Sequence, residues 1–149
     1  MKRPAFRMGS RRTVIPWSDE FDIRFQVGQI ADYVYQVTMK FDDISLREEM
    51  QDSAGLMQTA CRQAFAVEDL AEVRRLLYMT RGKQARIRSS VHLCHDLHWM
   101  DESDYSALYL LLRRLSHRLK EIADRIPPDP EDGEPLDLPE FDDGMFDPL

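Results

Sequence analysis

No proline falls between Trp17 and Ile126 of this 149-residue chain. Proline removes a backbone N–H and clashes with the preceding helical turn. Six of the eight prolines lie in 127–149, and the other two are Pro4 and Pro16. Glycine is sparse as well, with six in the whole chain. The long stretch without breakers can therefore be helical throughout. No run of 18 apolar residues exists, so no membrane span is expected. The basic first residues are not followed by an apolar signal-peptide core, which makes a cytoplasmic location the expectation. Cysteine is limited to Cys61 and Cys94, on the predicted core faces of two different helices. They read as buried free thiols in preference to a disulfide. No glycine-rich phosphate loop, nucleophile elbow or zinc-protease helix is present, so the chain reads as a non-enzyme with no cofactor.

Apolar residues make up 43% of the chain and charged residues 32%, enough for one core in a soluble domain. The net charge of −7 hides an uneven placement. Residues 127–149 hold nine acids and no Lys or Arg, and without them residues 1–126 carry a net +2. Residues 1–16 contain Lys2, Arg3, Arg7, Arg11 and Arg12 and no acid. The expected organisation is a disordered basic arm over 1–16, a body over 17–126 and a disordered acidic tail over 127–149. Phe141, Met145, Phe146 and Leu149, spaced among the tail's acids, have the look of a short binding motif.

Four helices are predicted in the body. The first runs from about Asp19 to Asp42 and carries Val27, Ile30, Val34, Val37 and Phe41 at steps of three and four, the period of one helix face. The second starts at Ser45, where Ser45 and Glu48 form a capping-box pattern, and ends near Val67. Its stripe is Leu46, Met50, Ala54, Met57, Cys61 and Phe65. The third begins at Asp69 and ends near His98, with Val73, Leu77, Thr80, Gln84, Ile87, Val91 and Cys94 in line. The fourth is capped by Asp101 and carries Tyr105, Leu108, Leu112, Leu115, Leu119, Ile122 and Ile126. Long amphipathic helices joined by short breaks bury their stripes by packing antiparallel, so the expected fold is all-α, an antiparallel up-down four-helix bundle.

His92, His95, Asp96 and His98 are metal-ligand residue types, but one segment supplies all of them, whereas structural zinc sites draw on two. Histidines near a helix C-terminus also suit the helix dipole, and no metal is expected. Asp42 with Asp43, and Asp101 with Glu102, stand at helix junctions, where capping explains them better than acid–base work.

The third helix is the most informative. Arg74, Arg75, Arg81, Lys83, Arg86 and Arg88 follow one another without an acid until Asp96. At about 100° per residue from Thr80, Arg74, Arg81 and Arg88 form a ridge on one flank, and Arg75 and Arg86 fall on the other. The fourth helix adds Arg113, Arg114, Arg118 and Arg125. Such a ridge is a candidate phosphate track, because guanidinium matches phosphate in bidentate geometry. The competing reading is a solvated face, or pairing with acids of the first two helices. Opposite the core stripe lie Ala71, Tyr78, Gly82, Ala85, Ser89 and Leu93. A smooth strip between arginine flanks suits close approach of another chain, with Tyr78, Gly82, Ala85 and Ser89 as the oligomer contact, against a plain weakly polar surface.

Leu76-Leu77-Tyr78-Met79-Thr80-Arg81-Gly82, and above all Leu93-Cys94-His95-Asp96-Leu97-His98-Trp99-Met100-Asp101-Glu102-Ser103-Asp104-Tyr105, carry a likeness to a known family. With Leu115 to Ile122, the stretch from Leu46 to Ile126 resembles the Avd-like proteins, the accessory variability determinants of diversity-generating retroelements. It is also similar to the wider family of four-helix proteins encoded in ribosomal-RNA intervening sequences. The resemblance implies a homopentameric barrel with a basic surface, binding structured RNA and a reverse transcriptase as a non-catalytic cofactor of cDNA synthesis. An alternative is a protein-interaction adaptor, the bundle serving as scaffold and the acidic tail recruiting a partner.

Overall fold

The computed structural model describes residues 12–128. The expected arm residues 1–11 and the expected tail residues 129–149, with Phe141, Met145, Phe146 and Leu149, lie outside the described residues. Among those described, the chain is all-helical and has no strand. After a helical turn at 12–14, four long helices follow: α1 (Trp17–Thr38), α2 (Ile44–Ala64), α3 (Leu70–Asp96) and α4 (Glu102–Ala123). Each packs against its neighbours in the chain, and α1 packs against α4. No helix among the described residues is long and apolar enough to cross a membrane.

The core is the set of stripes read from the periodicity. Val27, Ile30 and Val34 of α1 meet Met50 and Met57 of α2, Leu77 and Ile87 of α3, and Leu108, Leu112 and Leu115 of α4. Cys61 and Cys94 are both buried free thiols, each pushed up to about 11 chiefly by burial. Cys94 Sγ lies 3.8 Å from Met50 Sδ, which brings the end of α3 to the start of α2.

The helix ends follow local chemistry. Asp43, not Ser45, caps α2, its carboxylate accepting from the Leu46 N–H at 2.8 Å. An Asp three residues ahead of a free N–H competes better than a Ser already inside the first turn. Asp69 and Asp101 cap α3 and α4 in the same way, through Ala71 N and Asp104 N. Helix α1 stops at Thr38, short of the expected Asp42, and 3₁₀-type bonds from Lys40 N to Val37 O and Phe41 N to Thr38 O return Phe41 to the core. Residues 12–16, assigned by charge to the arm, pack on the body: Ile15 is fully buried, and the Arg12 guanidinium lies 3.4 Å over the Trp17 ring.

Helix α3 ends in a reverse turn without glycine. His98 N donates to His95 O and Trp99 N to Cys94 O, the paired bonds of a Schellman motif. His98 stands at its left-handed position with φ 62°, the non-glycine residue of the described chain that takes positive φ. A Cβ is disfavoured there. His98→Gly is therefore expected to stabilise the fold by about 0.5–1 kcal/mol, raising the thermal midpoint by a few degrees. Circular-dichroism melting of the two proteins checks this, and a lower midpoint for the variant would contradict it.

Candidate nucleic-acid interface

The expected ridge of Arg74, Arg81 and Arg88 does not face solvent. Arg81 is 2% exposed and Arg88 8%. Arg81 Nε donates to both Ser116 O and Ser116 Oγ at 3.2 Å, and Gln84 Nε2 donates to Leu112 O at 3.0 Å. The flank of α3 beside Thr80 is thus the flank that α4 covers, so the arginines nearest it are drawn into the α3–α4 seam. Arg74, one turn back on the same flank, keeps a largely covered side chain, its guanidinium 5.0 Å from the Tyr78 ring and 4.0 Å from Asp124. On the opposite flank Arg75 is held bidentately by Glu72, at 2.6 and 2.8 Å. Arg86 is exposed beside a groove that Glu48, Glu49 and Asp52 of α2 also line. Lys83 is half-buried. Most of the basic run on α3 serves the chain's own packing and electrostatics.

At one end of the molecule α4 meets the start of α1 through a second set of ions. Arg118 donates to Asp19, Asp22 and Glu121, and Arg125 donates to Asp19 and to Val14 O. Burial works to raise the Asp19 pKa, but hydrogen bonds and charge from Arg125 and Arg118 overcome it and hold the carboxyl below its usual range. Arg12 closes the cluster on Glu20 at 2.9 Å. Arg118, an expected phosphate ligand, is therefore already engaged by carboxylates.

What remains is a groove of about 580 Å³ between α1 and α4, lined by Gln26, Leu110, Arg113, Arg114, His117, Arg118 and Glu121. Arg114 is exposed and makes no ion pair among the described residues, and Arg113 is half-exposed beside it. Of the nine expected RNA-binding residues, this groove brings together Arg113, Arg114 and Arg118, and it adds His117, which no charge count of α3 could point to. An exposed guanidinium on a concave wall suits a phosphate oxygen pair.

Of the histidine cluster, His92 and His95 are spent on packing, while Asp96 and His98 are exposed. His95 stacks on Tyr105 with ring centroids 3.8 Å apart and pairs with Glu102 at 2.7 Å, while His92 Nδ1 lies 3.0 Å from Tyr105 Oη. Among the described residues no group of three or more His, Cys, Asp or Glu is placed to hold a metal ion.

The smooth strip on α3 does turn outward from Tyr78 to Leu93. Tyr78 is half-buried, with its hydroxyl donating to Asp124; Gly82 and Ala85 are half-buried; Ser89 and Leu93 are exposed. Ala71, at its start, is buried. A Cβ at Gly82 would meet nothing of this chain within 4 Å. A second outward face was missed by periodicity: on α1, Trp17, Phe21, Phe25, Tyr35 and Met39 are all exposed, the first three at 57, 62 and 68%. Their spacing by four and fourteen was legible, but a helix with apolar residues on two faces reads as one core stripe plus scatter.

Comparison with protein-family models, curated proteins and solved structures finds no match to this chain.

Two measurements separate packing arginines from surface ones. Arg81→Ala is expected to cost about 2–3 kcal/mol, since it leaves buried acceptors of α4 unsatisfied and opens a void. Arg114→Ala is expected to stay within about 0.5 kcal/mol of the native protein. Equal denaturant midpoints for the two variants would contradict the assignment. His92 supplies a pH signature. Burial first, then the Arg88 charge, hold its pKa below the ordinary imidazole value, against a weaker pull from Asp96. The unfolded chain then binds the proton more readily, so this stabilisation is complete above the ordinary value and is lost as pH falls through the folded one. The melting midpoint is expected to drop between pH 7 and 5, above the range where Asp19, Glu72 and Asp124 titrate. His92→Gln is expected to flatten that drop, and an unchanged profile in the variant would overturn the role given to His92.

Proposed function

We propose that this chain is a non-catalytic, oligomeric RNA-binding accessory protein that supports a reverse transcriptase in cDNA synthesis, built as an antiparallel up-down four-helix bundle and acting in the cytoplasm. The observation that carries the reading is the α1–α4 groove, where Arg113 and Arg114 stand on a concave surface with His117 at hand. Arginine in such a place recognises phosphate oxygens by shape as well as charge. The likeness of Leu46 to Ile126 to the Avd-like proteins supports the same partners, structured RNA and a reverse transcriptase, and a homopentamer with the Gly82 strip at the contact. The basic residues of 1–11 add sequence-independent attraction for a polyanion.

The proposal differs from a phosphate track along α3. Binding runs through Arg113 and Arg114, while Arg81 and Arg88 act only by holding the fold. Filter binding of a structured RNA across a salt series tests this. Phosphate contacts release counterions, with a slope of roughly −0.7 per contact for single strands and −0.9 for duplex. Arg113→Ala/Arg114→Ala is expected to weaken binding and to reduce the slope by about 1–2, with the helical fold retained. Unchanged affinity and slope would overturn the groove's role. Failure of the native protein to bind RNA or to co-purify with a reverse transcriptase would overturn the function.

A second reading, a protein-interaction adaptor, is favoured by the exposed aromatic face of α1. It predicts no salt-dependent RNA binding and retention of a protein partner that Arg113→Ala/Arg114→Ala does not disturb.

A further inference from the structure

The outer face of α1 has an internal symmetry. Gly28 stands at its middle. Trp17 and Met39 lie eleven residues to either side of it, Phe21 and Tyr35 seven, and Arg24 and Asp32 four. At about 100° per residue these positions share one side of the helix, turned away from the stripe of Ile23, Val27, Ile30 and Val34. When two copies of one helix pack antiparallel about a two-fold axis, a residue k positions before the axis faces the residue k positions after it. With the axis at Gly28, Trp17 meets Met39 of the second copy, Phe21 meets Tyr35, and Arg24 meets Asp32, each pair occurring twice.

We infer that this face is a self-association surface, on which a second copy of the chain docks antiparallel with the two-fold axis passing by Gly28. Three observations carry it. The first is area. Aromatic side chains offer about 150–250 Å² each, so the exposed parts of Trp17, Phe21, Phe25, Tyr35 and Met39 amount to roughly 600 Å² of apolar surface. That is the upper end of what a monomer exposes in one patch, about 300–600 Å². Most of the roughly 800 Å² per partner of a standard interface is thereby present.

The second is the glycine. A helix-interior glycine costs about 1 kcal/mol relative to alanine, yet a Cβ at Gly28 would meet nothing of its own chain within 4 Å. No neighbour inside the subunit requires its smallness. A helix crossing from outside does, because glycine lets two backbones approach, and at the axis each Gly28 faces the other.

The third is charge. Asp32 is exposed and has no ion partner among the described residues. Arg24 is paired with Glu20 at 3.0 Å and its guanidinium lies 5.7 Å from the Phe65 ring, yet 45% of the side chain stays exposed. The antiparallel register brings these opposite charges together, whereas a parallel pairing sets Asp32 against Asp32. The face is also separate from the proposed RNA groove, to which α1 contributes Gln26 from another flank of the helix.

Sedimentation equilibrium of the full chain tests the inference. Phe21→Glu/Phe25→Glu is expected to give a particle half the native mass, a single pentamer from a pair of pentamers where the Gly82 contact also forms. Helicity is unchanged because neither side chain reaches the core, and the melting midpoint falls only by the stabilisation that association supplied. Gly82→Glu is expected to leave the α1 pairing in place, so the two contacts are read independently. Register is tested by oxidation: Gly28→Cys is expected to cross-link to itself as a dimer, as is Phe21→Cys paired with Tyr35→Cys, while Phe21→Cys alone does not. The native thiols Cys61 and Cys94 are buried and do not compete. A native chain that is monomeric at 100 µM overturns the inference. If truncation after Pro128 then releases self-association, the face is covered by the chain's own C-terminal residues. A native oligomer whose mass Phe21→Glu/Phe25→Glu leaves unchanged also overturns it, as does cross-linking of Phe21→Cys alone in place of Gly28→Cys.

Discussion

The arrangement of α3 against α4 rests on one buried polar seam. Arg81 gives its Nε–H to the backbone carbonyl and hydroxyl of Ser116, and Gln84, one turn on, gives its amide to Leu112 O. Both donors are buried, at 2% and 1% exposure. A buried guanidinium without acceptors is costly, and Leu-on-Leu contacts slide at little cost, so the polar pair sets the register that apolar packing leaves loose. Everything placed around α3 follows from it. The Arg81 flank faces α4, the Arg86 flank turns toward the acids of α2, and the Gly82 strip is left outward. Placing His92 and His95 against Tyr105 at the far end of the same interface is a consequence of the same register.

Charge in this protein divides into what holds the fold and what is presented to solvent. Arg118 and Arg125 converge on Asp19, tying the first turn of α1 to the C-terminal end of α4 and the residues just past it, and Arg12 pairs with the neighbouring Glu20. Such a network is worth more than isolated surface pairs because the carboxylates are largely covered and share several donors. Beside these engaged arginines, the α1–α4 groove presents Arg114, exposed and outside any ion pair among the described residues, with Arg113 half-exposed next to it. A count of basic residues therefore overstates the binding surface, and the functional reading rests on a smaller site than the sequence displays.

The same division applies to apolar residues. Most of those on α3 and α4 serve the core, with Met79, Leu93 and Leu110 left exposed. Helix α1 carries two apolar faces, one inside and one exposed, with Gly28 in the middle of the exposed one. Retaining that second face has a solubility cost unless something covers it. The pairing of Trp17 with Met39, Phe21 with Tyr35 and Arg24 with Asp32 about Gly28 identifies what fits.

By itself the sequence determined that the chain is helical, where the helices begin and which residues form the core. Each of these depends on near neighbours: proline positions, Asp69 and Asp101 at helix starts, and repeats of three and four such as Leu108, Leu112, Leu115 and Leu119; at α2 the local pattern pointed to Ser45, two residues past the Asp43 that caps it. It did not determine what the flanks do. Arg81 and Arg114 are alike as residues, yet one is sealed under α4 and the other open to solvent. The difference lies in which neighbouring helix covers each flank, and periodicity along a single helix carries no such information. Only the tertiary structure decided that Arg81 and Arg88 are interior, that Arg118 belongs to Asp19, and that Phe21 and Phe25 stay outside. A helix in a bundle is covered on two sides at unequal angles, and the coverage is set by the partners' own side chains.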